Sequence, residues 1–153
     1  MTLSSAANYG ADSSGLICGF QFGSDGLGLP IDAQQALDWM AAVGVSEGFV
    51  WLHFNLARAM TEKWLRENVT MSDAFHDALR EGSRSTRIEL DGDMLVAVVN
   101  DVNYDFAFEP SDISTLWLLV TPRLVVSVRV QPLRSIDRLR DAVKRGVPLR
   151  STV

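Results

Sequence analysis

Phe49-Val50-Trp51-Leu52-His53-Phe54-Asn55, running directly into Leu56-Ala57-Arg58-Ala59-Met60-Thr61-Glu62-Lys63-Trp64-Leu65, sets the fold class of this chain. The first part is apolar at nearly every position, which is the pattern of a strand covered on both faces rather than on one. The second part changes period. Leu56, Met60 and Trp64 recur every four residues, which predicts an amphipathic helix with those three side chains inward. Asn55 between them is a good helix N-cap. Glu62 and Arg66 sit at i,i+4 in the favourable polarity on the outer side. A doubly covered strand feeding a helix belongs to an α/β domain.

The same logic extends outward. Leu16–Phe22 is a short apolar run between glycines, which predicts a strand, and Gly23 to Gly28 is turn chemistry. Asp32 with Gln35 three residues on predicts a capping box. The helix it opens runs to about Val43, with Ala36, Leu37, Met40 and Ala41 inward and Gly44 just past its end. Thr70 with Asp73 predicts a third helix with Ala74, Phe75, Ala78 and Leu79 inward, ended by Gly82. The period then shortens. Thr86–Leu90, a turn at Asp91-Gly92 and Met94–Val99 predict a hairpin. Ile113–Val120 and Leu124–Val130 predict two more strands, and Pro132 stops the second. Ser135 is the expected cap of a last helix with Ile136, Leu139 and Val143 inward, terminated by Gly146 and Pro148. Early strands joined by crossover helices are expected to be parallel neighbours, and the late ones antiparallel. The expected architecture is an α/β αβα sandwich, a mixed parallel/antiparallel sheet with helices on both faces.

Bulk properties narrow the class. The chain has 153 residues, 47% of them hydrophobic and 22% charged, enough for the core of one folded domain. Its one cysteine, Cys18, cannot form an internal disulfide, which fits a reducing compartment. Residues 1–15 are small and polar, without the basic and apolar regions of a signal peptide, and read as a flexible tail. The longest apolar stretch, Ile113 to Val130, is cut by Pro122 and Arg123, whereas a spanning helix needs roughly 20 largely uncharged residues. Charge is uneven. From Arg123 onward there are eight basic and two acidic residues, a net of +6. Residues 1–122 hold six basic and seventeen acidic, a net of −11. Such a split suggests that the end of the chain faces something the rest does not.

Candidate chemistry is sparse. His53 suits a metal ion, but no second ligand stands at a diagnostic spacing, so a hydrogen-bonded structural histidine is the better reading. Asp73, His76 and Asp77 share one helix side, where a weak cation site competes with an ordinary solvated face. Asp101, Asp105, Glu109 and Asp112 cluster between strands. Carboxylates suit hard cations, yet the spacing matches no calcium loop. Cys18 lies in an apolar run without a neighbouring base. Gly23 to Gly28 lacks a phosphate-loop ending. The basic end has no interleaved aromatics and carries Asp137 and Asp141, so nucleic acid is not expected. No catalytic residue is assigned, and an enzyme would need a polar cluster that the sequence does not advertise.

Several motifs, in order and spacing, carry a resemblance. They are Trp51-Leu52-His53-Phe54-Asn55, Trp64-Leu65, the run Ala78 to Glu89, the run Pro122 to Arg129, and Asp137 to Gly146. Over Leu16 to Pro148 the chain resembles the N-terminal cytoplasmic domain of CorA-type divalent-cation transporters, nearest the zinc-transporting ZntB branch. The resemblance implies an αβα domain at 16–148, with 149–153 leading to a stalk and two membrane helices. It implies a cytoplasmic regulatory or assembly role at the inner or plasma membrane, with membrane contact only through the missing C-terminal part. It also implies a homopentamer in the full-length protein and zinc, or possibly magnesium or cobalt, as transported ion, with no cofactor required. The fragment alone is expected to be soluble, and monomeric or weakly associated. Relatives carry Thr-Arg-Pro-Arg where this chain has Ser85-Thr86-Arg87, and the Gly-Met-Asn pore signature has no counterpart here. The alternative is a stand-alone soluble ligand-binding or signalling module.

Overall fold

A computed structural model describes residues 14–42, 47–81, 86–102 and 113–152. Among them the elements run β1 (Leu16–Phe22), β2 (Gly28–Pro30), α1 (Ala33–Ala41), β3 (Phe49–Asn55), α2 (Ala59–Asn68), α3 (Asp73–Glu81), β4 (Arg87–Asp91), β5 (Met94–Val102), β6 (Ile113–Val120), β7 (Leu124–Arg129) and α4 (Arg134–Lys144). The strands form one seven-stranded sheet in the order β2-β1-β3-β7-β6-β5-β4.

The sheet is mixed, as expected, but its parallel pair lies elsewhere. β1 and β3 are antiparallel, with Phe20 opposite Trp51 and Phe22 opposite Phe49. The cause is β2, a three-residue strand that the sequence reading missed. It pairs antiparallel with β1 and reverses the chain, so that after α1 the chain re-enters the sheet against β1. The parallel neighbours are β3 and β7, in register from Val50↔Leu124 to Asn55↔Arg129.

Period-two alternation makes β3 apolar throughout. Val50, Leu52 and Phe54 enter the core shared with α1, α2 and α3, while Phe49 and Trp51 enter a second core with Leu133, Ile136 and Val143 of the α4 segment. Helices thus cover both faces. The second core is floored by aromatic rings stacked across β1 and β3, Phe22 on Phe49 at 4.6 Å and Phe20 on Trp51 at 5.7 Å.

Local details follow the sequence with corrections. The Asp32 capping box forms, with Gln35 N donating to Asp32 Oδ1 at 2.8 Å and Asp32 N to Gln35 Oε1 at 2.9 Å. The inward residues of α1 are Ala36 and Trp39. Leu37 and Met40 are half-buried and Ala41 is exposed, and Val43 and Gly44 lie outside the described residues. The Arg123 guanidinium stacks on the Trp39 ring at 4.5 Å. Asn55 does not cap α2. Its Oδ1 accepts from Ala57 N at 3.0 Å, a side-chain turn that delays the helix until Ala59. The delay changes the helix phase: Thr61 and Leu65 are buried, Leu56 and Trp64 are half-buried, and Met60 is 50% exposed. The outer Arg66–Glu62 pair forms at 3.2 Å.

On α3, Phe75, Ala78 and Leu79 are buried as expected and Ala74 is half-buried. Ser72 Oγ, rather than Thr70, accepts from the first turn, at Phe75 N. Trp117 Nε1 donates to Ala78 O at 2.9 Å and ties α3 to β6; Gly82 lies outside the described residues. The β4–β5 turn residues are Gly92 and Asp93, one place later than expected. α4 begins at Arg134 with Leu133 at its N-cap, and Ser135 is the second helical residue, not the cap. Gly146, at φ +89°, closes α4 in a Schellman motif: Gly146 N donates to Val143 O and Val147 N to Ala142 O. Ile136 and Val143 are buried, and Leu139 is partly exposed.

Candidate functional site

The α4 side of the sheet holds the structure's buried polar node. His53 on β3 and Ser127 on β7 are paired across the parallel ladder. His53 Nδ1 lies 2.7 Å from Ser127 Oγ, and Trp51 Nε1 donates to that same oxygen at 2.8 Å. Ser127 Oγ accepts the indole proton, and the direction of its bond with Nδ1 follows the tautomer of the imidazole. Burial pushes its pKa down to about 3, Arg129 and Arg140 push it the same way, and Ser127 opposes them. The histidine is buried and its side-chain partner is the hydroxyl of Ser127.

Among the described residues the other candidates do not assemble into a centre. Asp73 and Asp77 are exposed on α3 and His76 is half-buried. Among the described residues no group of three or more His, Cys, Asp and Glu side chains is placed to hold a metal. Asp101 has a different task. Its Oδ2 accepts from Ser135 N at 3.0 Å, so a β5 carboxylate caps the first turn of α4 from across the fold. Asp105, Glu109 and Asp112 lie outside the described residues. Cys18 is half-buried. Burial raises its thiol to about 11 although Arg140, Lys144 and Arg129 pull it down, so it stays protonated and is a poor nucleophile. The glycine run is a turn, with Gly26 N donating to Gly23 O and Leu27 N to Asp25 Oδ1.

Sequence reading missed an open apolar groove beside α4. It has a volume of about 220 Å³, and its lining includes Trp51, Leu116, Leu118, Val125, Ile136 and Leu139. The tail closes one end: Leu149, Ser151 and Thr152 line the groove, and Leu149 N donates to Gly26 O at 2.8 Å. The signal was present in β6, which is apolar on both faces although one helix covers only part of one of them. Exposed Arg134, Arg138, Lys144 and Arg145 place the basic end of the chain on α4, next to the groove. An apolar trough beside cationic side chains, lined by Trp51 and Ser127, has the chemistry of a packing surface. Ser127, which lines the trough, is held there between Trp51 Nε1 and His53 Nδ1.

Comparison with known proteins gives the family and the fold. The family described as "CorA-like Mg2+ transporter protein" matches residues 46–152. The divalent cation transporter CmaX of Pseudomonas aeruginosa is 28% identical over 138 residues, which are 88% of this chain and 40% of that protein. The zinc transport protein ZntB of Pectobacterium carotovorum is 23% identical over 133 residues, 87% of this chain and 38% of that protein. The structure of full-length CmaX superposes with a TM-score of 0.78 at 26% identity, covering 93% of this chain and 43% of that one. The cytoplasmic domain of ZntB from Vibrio parahaemolyticus shares the fold, with a TM-score of 0.66 at 20% identity, over 89% of this chain and 52% of that one. The chain thus spans about 40% of the length of the curated relatives it matches. Among the described residues no helix is long and apolar enough to cross a membrane.

Proposed function

Since the chain belongs to the CorA-like Mg2+ transporter family, we propose that it is the cytoplasmic regulatory and assembly domain of a divalent-metal transporter. The reading is carried by the superposition on full-length CmaX, which covers nearly all of this chain and less than half of that one. In this reading the ion path belongs to the part of the relatives that the chain does not match. Zinc is the leading cargo, with magnesium or cobalt as alternatives, and the domain itself is non-catalytic. Among the described residues the candidate metal ligands form no group of three, and Asp101 is engaged in holding α4. The whole protein works as a homo-oligomer, a pentamer by the family resemblance, at the cytoplasmic face of the membrane. Most of its subunit contacts lie outside these residues.

The test is a chimera. The chain replaces the matching 40% of CmaX, and divalent-cation uptake is measured in vesicles. Uptake that survives, and that responds to substitutions in this domain, supports the role. A chimera that inserts and folds but ignores every change in the domain counts against a regulatory role. The open groove favours one second reading, a stand-alone module that binds an apolar ligand there. A chain that ends naturally at Val153 and binds small apolar compounds would support that reading instead.

A further inference from the structure

Three buried donors meet at one corner of the fold without an acceptor. They are Nε1 of Trp39, on α1, and Nε and Nη2 of Arg123, in the turn between β6 and β7. Trp39 is 9% exposed, and the Arg123 guanidinium lies over its ring at 4.5 Å, so the three donors share one place. Native proteins leave few buried polar atoms unpaired, because such an atom gives up its water without regaining a bond.

Two other arginines show what sets this corner apart. Arg87 and Arg140 also have a buried Nε without a hydrogen bond, but each stands 3.8 Å from a carboxylate, that of Glu89 and that of Asp137. Among the described residues no carboxylate lies within ion-pair distance of Arg123. Asp38, on the same helix as Trp39, accepts from Gln34 Nε2 at 3.1 Å instead. The backbone here is fixed: Val50 N donates to Arg123 O at 3.0 Å, and Thr121 N to Leu124 O at 2.8 Å. Its side chain is free of such ties, so the guanidinium can swing on a rigid base to admit a ligand.

The unpaired edge names the chemistry of that ligand. Nε and Nη2 carry the parallel N–H bonds of a guanidinium fork, which takes two oxygens of one oxyanion. Water can accept from the fork but brings no charge to set against it. The indole N–H is a third donor, and the stacking places it out of the guanidinium plane. A planar carboxylate spends both oxygens on the fork. A tetrahedral oxyanion has one to spare. We propose that the corner of Arg123 and Trp39 binds a tetrahedral oxyanion of the phosphate class, two oxygens on Arg123 Nε and Nη2 and a third on Trp39 Nε1. The bound anion ties α1 to the β6–β7 turn. The proposal does not rest on the transporter reading, and its failure would leave that reading untouched.

The test is an NMR titration of the whole chain with inorganic phosphate, at an ionic strength held constant with sodium chloride. The Nε1–H resonance of Trp39 and the Nε–H resonance of Arg123 should shift together and saturate, while the indoles of Trp51, Trp64 and Trp117 stay in place. Sulfate should reproduce the response, and acetate, without a third oxygen, should bind about tenfold more weakly. Arg123→Lys keeps the charge and removes the fork, and should weaken phosphate binding about tenfold. Trp39→Phe keeps a ring for the stack and removes the third donor, and should bring phosphate to the affinity of acetate. Phosphate that moves neither resonance, a response that sodium chloride alone reproduces, acetate as tight as phosphate, or binding indifferent to Arg123→Lys would each overturn the proposal. If a variant fails to fold by circular dichroism, the wild-type comparison of phosphate with acetate and chloride decides the matter.

Discussion

Replacing His53 by glutamine should flatten the dependence of stability on pH, and the size of the effect follows from the site. In the folded protein the imidazole is 1% exposed, is hydrogen-bonded to Ser127 Oγ, and has a pKa lowered from 6.5 to about 3. A group whose folded pKa lies below its unfolded value contributes stability that is complete above the unfolded pKa and is lost as pH falls. The window here runs from about 6.5 down to about 3. At pH 7.5 almost no protons bind in either state. At pH 4.5 the unfolded chain is protonated at this position and the folded chain is not, which favours unfolding by about 2.7 kcal/mol. With a urea slope of about 1–3 kcal/mol/M, this shifts the denaturation midpoint by about 1–3 M. The assay is urea unfolding of wild type and His53→Gln at both pH values. The carboxylates titrate in both proteins and cancel in the difference, and His76→Gln controls for the second histidine. The wild type should lose about 2.7 kcal/mol more than His53→Gln on going to pH 4.5. Parallel pH profiles, or an NMR titration of His53 in the folded protein near pH 6.5, would refute the reasoning.

Three further substitutions probe the fold where it departs from simple patterns. Leu65→Ala should cost about 2–5 kcal/mol by opening a cavity under α2, while Met60→Ala should change stability by less than about 1 kcal/mol; equal costs in thermal or urea unfolding would mean the helix phase is wrong. Gly48 has φ +108°, and an added Cβ would run into the Phe22 carbonyl, so Gly48→Ala should cost at least about 2 kcal/mol in urea unfolding. Asp101→Ala removes the carboxylate at the start of α4 and should cost about 1 kcal/mol with faster amide exchange at Ser135; a loss of metal affinity without either effect would restore Asp101 as a ligand.

The legible and illegible parts of this fold separate by range. Phe49–Phe54 was readable because both of its faces are buried, so no choice of face was needed. The Asp32 box and the Gly146 terminus were readable because their partners lie within a few residues. The phase of α2 was misread because Asn55 serves two local functions equally well, cap or side-chain turn, and spacing alone does not separate them. β2 was too short to show a period, and missing it reversed the expected pairing of β1 with β3. The remaining gaps are long-range. Nothing local joins His53 to Ser127 or Asp101 to Ser135. β6 is apolar on both faces, but nothing in the alternation of β5 and β6 tells which face has a helix over it, so the sequence could not say where the groove would lie.

The proposed role as one domain of a transporter is tested most directly by reading the parent gene beyond the codon for Val153. The account expects a long charged helical segment followed by two apolar segments of roughly 20 residues each. A stop codon directly after Val153 would contradict it and leave the groove beside α4 as the place to look for function.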